Sequence, residues 1–355
     1  MRAEVIPYRL PLARPWVAAR ATLTERRGGL LHLIDTDGAE GWGDCAPLPS
    51  GGNAETVLAA LDAWACRPGG ARGRYAPACG GSPSAARAFT ADFQSLPPEV
   101  RWAIETARSD LAARRAGVPL WRHLGGTRGE VEVNAALGPL DDGLPARLAA
   151  AAAAGFRVGK IKVGLAPVEE EIARLAALEP SLWLRLDANR AWNEADARRF
   201  LTAIAGLPIE AVEEPLAAPT LEKLAALQAA LPFSLALDES LPQFGIDAVI
   251  ASRAVRRLVL KPARLGGLAA TTAIARAARQ AGLEVVLTSV VDSAVGVAAA
   301  AHLAAAIAPG FAHGLATSTW LAADVVTPPI IEKGMLRLPA TAGLGVTPAA
   351  VRAGG

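Results

Sequence analysis

Six side chains of this chain recur at a spacing that chemistry can use: Lys160 and Lys162, Asp187, Glu213, Asp238 and Lys261. Each of the last five closes a short β-branched or apolar run, and from Lys162 to Lys261 the steps are 23 to 26 residues. Three carboxylates brought together repel one another strongly and resist burial, so they need a cation. Hard oxygen ligands in a site with positions left open for water and substrate suit Mg²⁺, with Mn²⁺ as a substitute. A single strand-end acid is better explained as a helix cap or an arginine partner. Three on consecutive strands are not.

The lysines have a logic of their own. Strand alternation puts Lys160 and Lys162 on one face and Ile161 on the other. In a barrel the outer face is covered by helices, so the charged face points inward. Two ammonium groups roughly 7 Å apart on one strand face, in a low-dielectric mouth, each destabilise the other's charge. A depressed pKa is what a lysine needs to act as a base near neutral pH. Lys261 belongs to the sixth run, across the mouth from the second. A lysine on each side of a bound carbon can remove a proton from it or stabilise charge on it.

These side chains must be held by repeating elements. Eight short runs alternate with Ala/Leu/Arg-rich helical stretches: Val131–Leu137, Val158–Val163, Trp183–Asp187, Ala211–Glu213, Ser234–Asp238, Leu258–Lys261, Glu284–Thr288 and Phe311–Leu315. One strand and one helix per roughly 25 residues is the cadence of parallel βα units, and eight close a TIM-type barrel whose C-terminal strand ends form the active face. A doubly wound sheet competes, but no dinucleotide fingerprint is present. Gly155 to Lys160 falls one residue short of a P-loop and is followed by Ile161. The first 95 or so residues read as a smaller α+β unit, with strands at Leu30–Ile34 and Glu40–Trp42 and a helix from Ala54 to Ala65. A strong helix follows at Val100–Ala116. Gly334 to Leu338 is expected to return to this first unit as an edge strand.

Composition narrows the class. With 355 residues, 52% hydrophobic and 20% charged, the chain can bury a large core and is not globally disordered. A net charge of +2 leaves no footprint for nucleic acid. The most apolar stretch, Ala294–Ala308, is interrupted by His302 and too short to span a bilayer. No apolar leader stands at the N-terminus. Cys45, Cys66 and Cys79 form no CxxC pair, which argues against a disulfide framework or a zinc site and for a reducing cytoplasm. The expectation is a soluble cytoplasmic protein acting on a small molecule, without nucleic-acid or membrane partners.

The series Lys-x-Lys, Asp187-Ala-Asn189, Glu213-Glu214-Pro215, Asp238-Glu239-Ser240 and Lys261-Pro-x-x-x-Gly-Gly267 resembles the enolase superfamily, muconate-lactonizing subgroup. The likeness extends to Gly41-Trp42-Gly43-Asp44 and Pro47-Leu48-Pro49. It implies an N-terminal α+β capping domain (1–118), a modified TIM (β/α) barrel (119–320) and a C-terminal segment (321–355) that completes the cap. It also implies Asp187, Glu213 and Asp238 as Mg²⁺ ligands, Lys162 as base and acid, Lys160 as its neighbour, and Lys261 as the cation over the opposite face. The superfamily's general chemistry, a lysine or histidine base with Mg²⁺ and an ene-diolate, is a known pattern. The substrate would be a small carboxylate, met by Arg20 from a loop over the mouth and by Asn189, Ser289, Asp292 and Ser293.

Within the subgroup, Arg185–Trp192 and Leu237–Leu241 are similar to o-succinylbenzoate synthases of menaquinone biosynthesis. That likeness implies dehydration of a cyclohexadiene carboxylate. N-succinyl amino acid racemisation and muconate-type cycloisomerisation are the alternatives. Two departures stand out: Asp292 replaces the more familiar Glu, and Ala316 replaces an acid that dipeptide epimerases use to hold an ammonium group. Arg185 is expected beneath the metal ligands, paired with one of them. Asp44 is either a supporting residue or a turn acid, Trp192 and Trp320 wall the pocket or pack, and His32, His123, His302 and His313 serve packing or surface roles.

Overall fold

Residues 1–18, 21–48, 54–66 and 93–348 are described in a computed structural model of the chain. At the N-terminus β1 (Arg2–Ala18), β2 (Ala21–Ile34) and β3 (Glu40–Cys45) form an antiparallel sheet. Asp35 closes the β2–β3 turn by accepting the Gly38 N–H at 3.0 Å. Two helices, α1 (Ala54–Cys66) and α2 (Pro98–Arg115), cover one face of this sheet. Leu31, Leu33, Leu61, Trp64, Val100 and Ile104 interlock in the resulting core. The Gly-Trp-Gly pattern has a packing cause. A Cβ at Gly41 or Gly43 would fall 2.1 or 2.0 Å from the Ala107 or Ala103 carbonyl oxygen, so α2 lies directly on β3.

After the short α3 (Leu120–His123) and β4 (Glu130–Glu132), a parallel sheet runs in chain order. It comprises β5 (Ala135–Pro139), β6 (Val158–Lys162), β7 (Trp183–Asp187), β8 (Ile209–Glu213), β9 (Ser234–Leu237), β10 (Arg257–Leu260) and β11 (Glu284–Leu287). Between and after the strands come α4 (Leu144–Ala153), α5 (Val168–Ala176), α6 (Glu194–Ala203), α7 (Leu221–Ala229), α8 (Leu241–Phe244), α9 (Ile246–Ser252), α10 (Pro262–Leu265), α11 (Leu268–Gln280) and α12 (Ala294–Ile307). Asn193 and Thr220 cap α6 and α7 by accepting the Asp196 and Lys223 N–H groups. The apolar stretch that is too short for a bilayer becomes α12, buried on nearly every side, where alanines let its neighbours approach closely.

Two expectations are corrected. The eighth run, Phe311–Leu315, makes isolated parallel bridges instead of a ladder: His313 with Val133 and Gly314 with Thr288. His313 Nδ1 accepts the Leu287 N–H at 3.0 Å, so a side chain takes a bond that a regular strand would make with its backbone. The strand expected at Gly334–Leu338 forms as β13 (Met335–Arg337), after β12 (Ile331–Glu332), but it pairs with β4 and not with the N-terminal sheet. Residues on both sides of it meet the cap, and before it the Ala322 N–H donates to the Pro11 carbonyl at 2.8 Å. Asp110 of α2 accepts the Leu344 N–H at 2.6 Å, and Arg114 donates to the Val346 carbonyl at 2.8 Å.

Candidate active site

Parallel register brings the reactive residues to one end of the barrel. Lys162 pairs with Asp187 across β6–β7, and Asp187 with Glu213 across β7–β8, so the three stand side by side. Asp238 and Lys261 directly follow β9 and β10. The carboxylates are 5%, 1% and 7% exposed at Asp187, Glu213 and Asp238. Lys160, two residues before Lys162, reaches Asp187 Oδ2 at 3.0 Å and Glu213 Oε2 at 2.5 Å. Lys261 Nζ donates to Asp238 Oδ2. Lys162 makes no ion pair among the described residues. Its ammonium donates to Asn189 Oδ1 at 3.3 Å and lies 5.2 Å from the centre of the Trp16 ring.

This arrangement divides the lysines. Burial works against the Lys160 charge, but Asp187, Glu213 and Asp238 overcome it and hold its pKa above the usual lysine value. The mutual depression expected for both lysines therefore does not apply to Lys160, because two carboxylates take its ammonium. Lys162 is shifted down, first by burial and then by Lys160 and Lys261, with Asp187 opposing. Lys261 is shifted up, since Asp238 outweighs burial.

The loops leaving β7 and β8 are strained. Asn189 (φ 43°), Arg190 (φ 64°) and Glu214 (φ 46°) lie in the left-handed region, which costs a non-glycine residue on the order of 1 kcal/mol or more. Neighbouring contacts hold them there: Arg190 N–H donates to the Glu214 carbonyl at 2.7 Å, and Asn189 N–H to Asp187 Oδ1 at 3.1 Å. Glu214, the second acid of Glu213-Glu214-Pro215, has a structural role. Its carboxylate accepts the Asp238 N–H at 2.7 Å, the Ser240 N–H at 2.9 Å and the Ser240 hydroxyl at 2.6 Å, tying the β8 exit to the β9 exit. The signal was present in Glu213-Glu214: adjacent residues at a strand end cannot both face the mouth.

Below the acids, Arg185 is buried as expected, but its main partner is Glu210, at 2.8 Å. Glu213 is at 4.0 Å from it. Arg185 also donates to Asn134 Oδ1 at 3.1 Å and to the Ala312 carbonyl at 3.0 Å. Glu210 meets Arg257 at 3.0 Å, and Arg257 meets Glu284 at 2.7 Å. Arg185, Glu210, Arg257 and Glu284 stand 25, 47 and 27 residues apart, one or two steps of the same repeat, but their alternating signs neutralise one another and do not single them out in the sequence.

Ser289, Asp292 and Ser293 sit where the barrel meets the cap. The Ser289 hydroxyl lies 2.7 Å from that of Thr317. Ser293 gives both its N–H (3.1 Å) and its hydroxyl (2.9 Å) to Asp44 Oδ2, while Tyr8 donates to Asp44 Oδ1 at 2.7 Å. Asp44 is thus a support that locks the cap to the β11 exit. Asp292 is buried, accepts the Val290 N–H at 3.3 Å, and has one oxygen without a partner among the described residues. Burial, then the Asp44 charge, pushes its pKa up to about 7. Arg20 and Pro49 lie outside the described residues. Trp320 meets Trp16 edge to face at 4.6 Å and carries Arg14 over its ring at 3.9 Å, whereas Trp192 packs on Phe200. His302 and His313 are buried with both ring nitrogens bonded, and His32 stacks on Trp42.

The donor set of Asp187, Glu213 and Asp238 fits a hard divalent cation: three buried carboxylates at neighbouring strand ends and no soft ligand among them. Among the described residues, however, no three acids already converge on one point. Ammonium groups stand between them, Lys160 on Asp187 and Glu213 and Lys261 on Asp238, so the acids are compensated by lysine charge where the sequence alone left them bare.

A model of the Enolase C-terminal domain-like family matches residues 144–351. The chain belongs to the enolase superfamily, in its muconate-lactonizing subgroup. At finer grain its relatives differ in reaction. It is 31% identical to an o-succinylbenzoate synthase of Proteus mirabilis over 81% of each chain. A muconate lactonizing enzyme from Pseudomonas fluorescens, solved with muconolactone, superposes with a TM-score of 0.79 at 26% identity, over 98% of this chain and 96% of that one. A dipeptide epimerase from Enterococcus faecalis V583, solved with Mg and the dipeptide L-Leu-L-Tyr, gives a TM-score of 0.83 at 25% identity, over 97% and 98%. The fold is therefore an N-terminal α+β cap on a parallel β/α barrel, as in those enzymes. Among the described residues no helix is long and apolar enough to cross a membrane.

Proposed function

We propose that this enzyme is an o-succinylbenzoate synthase, dehydrating 2-succinyl-6-hydroxy-2,4-cyclohexadiene-1-carboxylate. The observation that carries the reading is the inequality of the two lysines that flank the acids. Among the described residues Lys162 has no carboxylate partner, while Lys261 is committed to one. One base and one fixed cation suit an elimination in which a single residue moves protons. Racemisation needs two bases.

Lys162 takes the proton α to the carboxylate, and the C–H electron pair passes into the ene-diolate. Lys261 faces the developing negative charge from across the mouth, a preorganised cation of the kind worth several kcal/mol, on the order of 10²-fold or more in rate. The bond to the neighbouring hydroxyl then breaks, and the oxygen leaves as water with the proton Lys162 had taken. Lys160 holds Asp187 and Glu213 in place. Held by Asp187, Glu213 and Asp238, Mg²⁺ would supply Lewis-acid stabilisation of the carboxylate oxygens. The branch towards dehydration is also supported by Ala316, buried where an epimerase needs an acid for its substrate's ammonium group.

The test offers the Mg²⁺-loaded enzyme the cyclohexadiene substrate and, separately, N-succinyl amino acids in deuterated water. Dehydration that survives Lys261→Arg at reduced rate is expected, because arginine keeps the charge and does not need to lose a proton. Free racemisation of the amino acid with no dehydration by the wild type would sink the reading.

A further inference from the structure

The cap helix α2 reaches the barrel at the turn that follows Lys261. We propose that Glu105 of this helix, assisted by Glu99 and Arg101, is a positioning residue for Lys261. Lys261 stands at the N-terminus of α10, and its carbonyl accepts the N–H groups of Arg264 (2.8 Å) and Leu265 (3.0 Å). The orientation of this one-turn helix therefore sets the backbone from which the Lys261 side chain departs.

Three contacts from α2 fix the turn. Glu99, almost wholly buried, accepts from Arg264 Nη1 at 2.9 Å. Glu105 Oε2 accepts the Ala269 N–H at 2.9 Å, and its carboxylate also takes the Leu268 N–H. These donors open α11, whose N-cap is Gly267, a residue with no side chain to satisfy them. The missing cap is supplied by the other domain, as a carboxylate at the positive end of the helix. Arg101, four residues before Glu105 and so on the same face of α2, covers the turn.

The two glycines of the Lys261-Pro-x-x-x-Gly-Gly267 motif follow from this docking. Gly266 (φ 90°) and Gly267 (φ 121°) both lie in the left-handed region. A Cβ on Gly266 would fall 2.3 Å from the Arg101 guanidinium, and one on Gly267 would fall 2.4 Å from the Glu105 carboxylate. A motif that reads locally as a flexible turn is the seat of the cap helix, and it stands next to the lysine that must face the reacting carbon.

The catalytic half of this proposal rests on the role given to Lys261 above, so the test has two independent readouts. Hydrogen–deuterium exchange of the full-length, Mg²⁺-loaded protein is followed by mass spectrometry over 262–272 in wild type, Glu105→Ala and Glu105→Gln. The alanine variant is expected to exchange faster there and at wild-type rates in the remaining barrel strands, with glutamine, whose carbonyl oxygen can still accept from Ala269, close to wild type. In turnover, Glu105→Ala is expected to lose on the order of 10- to 100-fold in kcat, the scale of an ångström misplacement near the chemistry. KM should stay within about twofold, and glutamine should restore most of the rate. Unchanged exchange in Glu105→Ala overturns the proposal, as does faster exchange throughout the barrel or a wild-type kcat. If the wild type turns over none of the carboxylates offered, the proposed function fails, and the exchange comparison alone still decides whether Glu105 holds the turn.

Discussion

Two layers of charge share the barrel, and they are built from different residues. At the mouth, Lys160, Lys162 and Lys261 face Asp187, Glu213 and Asp238. One layer down, Arg185 and Arg257 alternate with Glu210 and Glu284. The mouth uses the cation that can lose its proton. The layer beneath uses the one that cannot, with a planar fork that engages several acceptors at once. Arg185 does so fully, meeting Glu210, Asn134 and the Ala312 carbonyl. The lower layer is a scaffold whose charges are permanent. Among the described residues the upper one leaves Lys162 without a carboxylate, and the proposed proton transfer is assigned to it for that reason.

The comparison is open to attack first at Lys162. Lys162→Ala is expected to lower turnover by about 10³-fold or more, because base and acid disappear together. The thermal midpoint should hardly move, since Lys162 forms no ion pair among the described residues. Retention of more than about a tenth of the wild-type rate would remove Lys162 from the chemistry.

The converse holds for the lower layer. Glu210→Ala leaves Arg185 and Arg257 buried without their shared acid, so a loss of about 3–5 kcal/mol in urea unfolding is expected, the usual penalty for breaking a buried pair. Glu210→Gln, which keeps an acceptor, should lose less. Equal unfolding midpoints for wild type and Glu210→Ala would show that the layer is not a scaffold.

A smaller effect tests whether groups far from the mouth are purely structural. Burial pushes the pKa of His302 down to about 4 and that of His313 down to about 3. Both stay neutral in the folded chain while the unfolded chain gains their protons below about pH 6.5. Stability from each is therefore present above that pH and is lost as pH falls towards the folded value, at about 1.4 kcal/mol per pH unit at most. Replacing His302 with Gln should lower proton uptake on unfolding between pH 6 and 4.5 by about one proton. Unchanged uptake would mean that His302 is not held neutral.

The cap adds a lesson of its own. Asp44, read from the sequence as either a supporting residue or a turn acid, and Glu105, an acid without a motif, each accept backbone N–H groups from the barrel, at Ser293 and at Ala269. Neither has a local pattern that announces this, since its partner lies more than 160 residues away in the chain.

The sequence by itself determined the strand ends and what stands on them. Side-chain alternation and the step of about 25 residues are local properties, so Lys162, Asp187, Glu213, Asp238 and Lys261 could be placed at one mouth before any coordinates. Tertiary structure decided which cation meets which acid. Lys160 and Lys162 share a strand, a face and a residue type, yet one lies between two carboxylates and the other meets an amide and an indole. It also decided that the strand near Met335 joins Glu130–Glu132, and that Ser293 turns to Asp44. Such pairings depend on distances between residues far apart along the chain, and those distances exist only once the barrel has closed and the cap has docked.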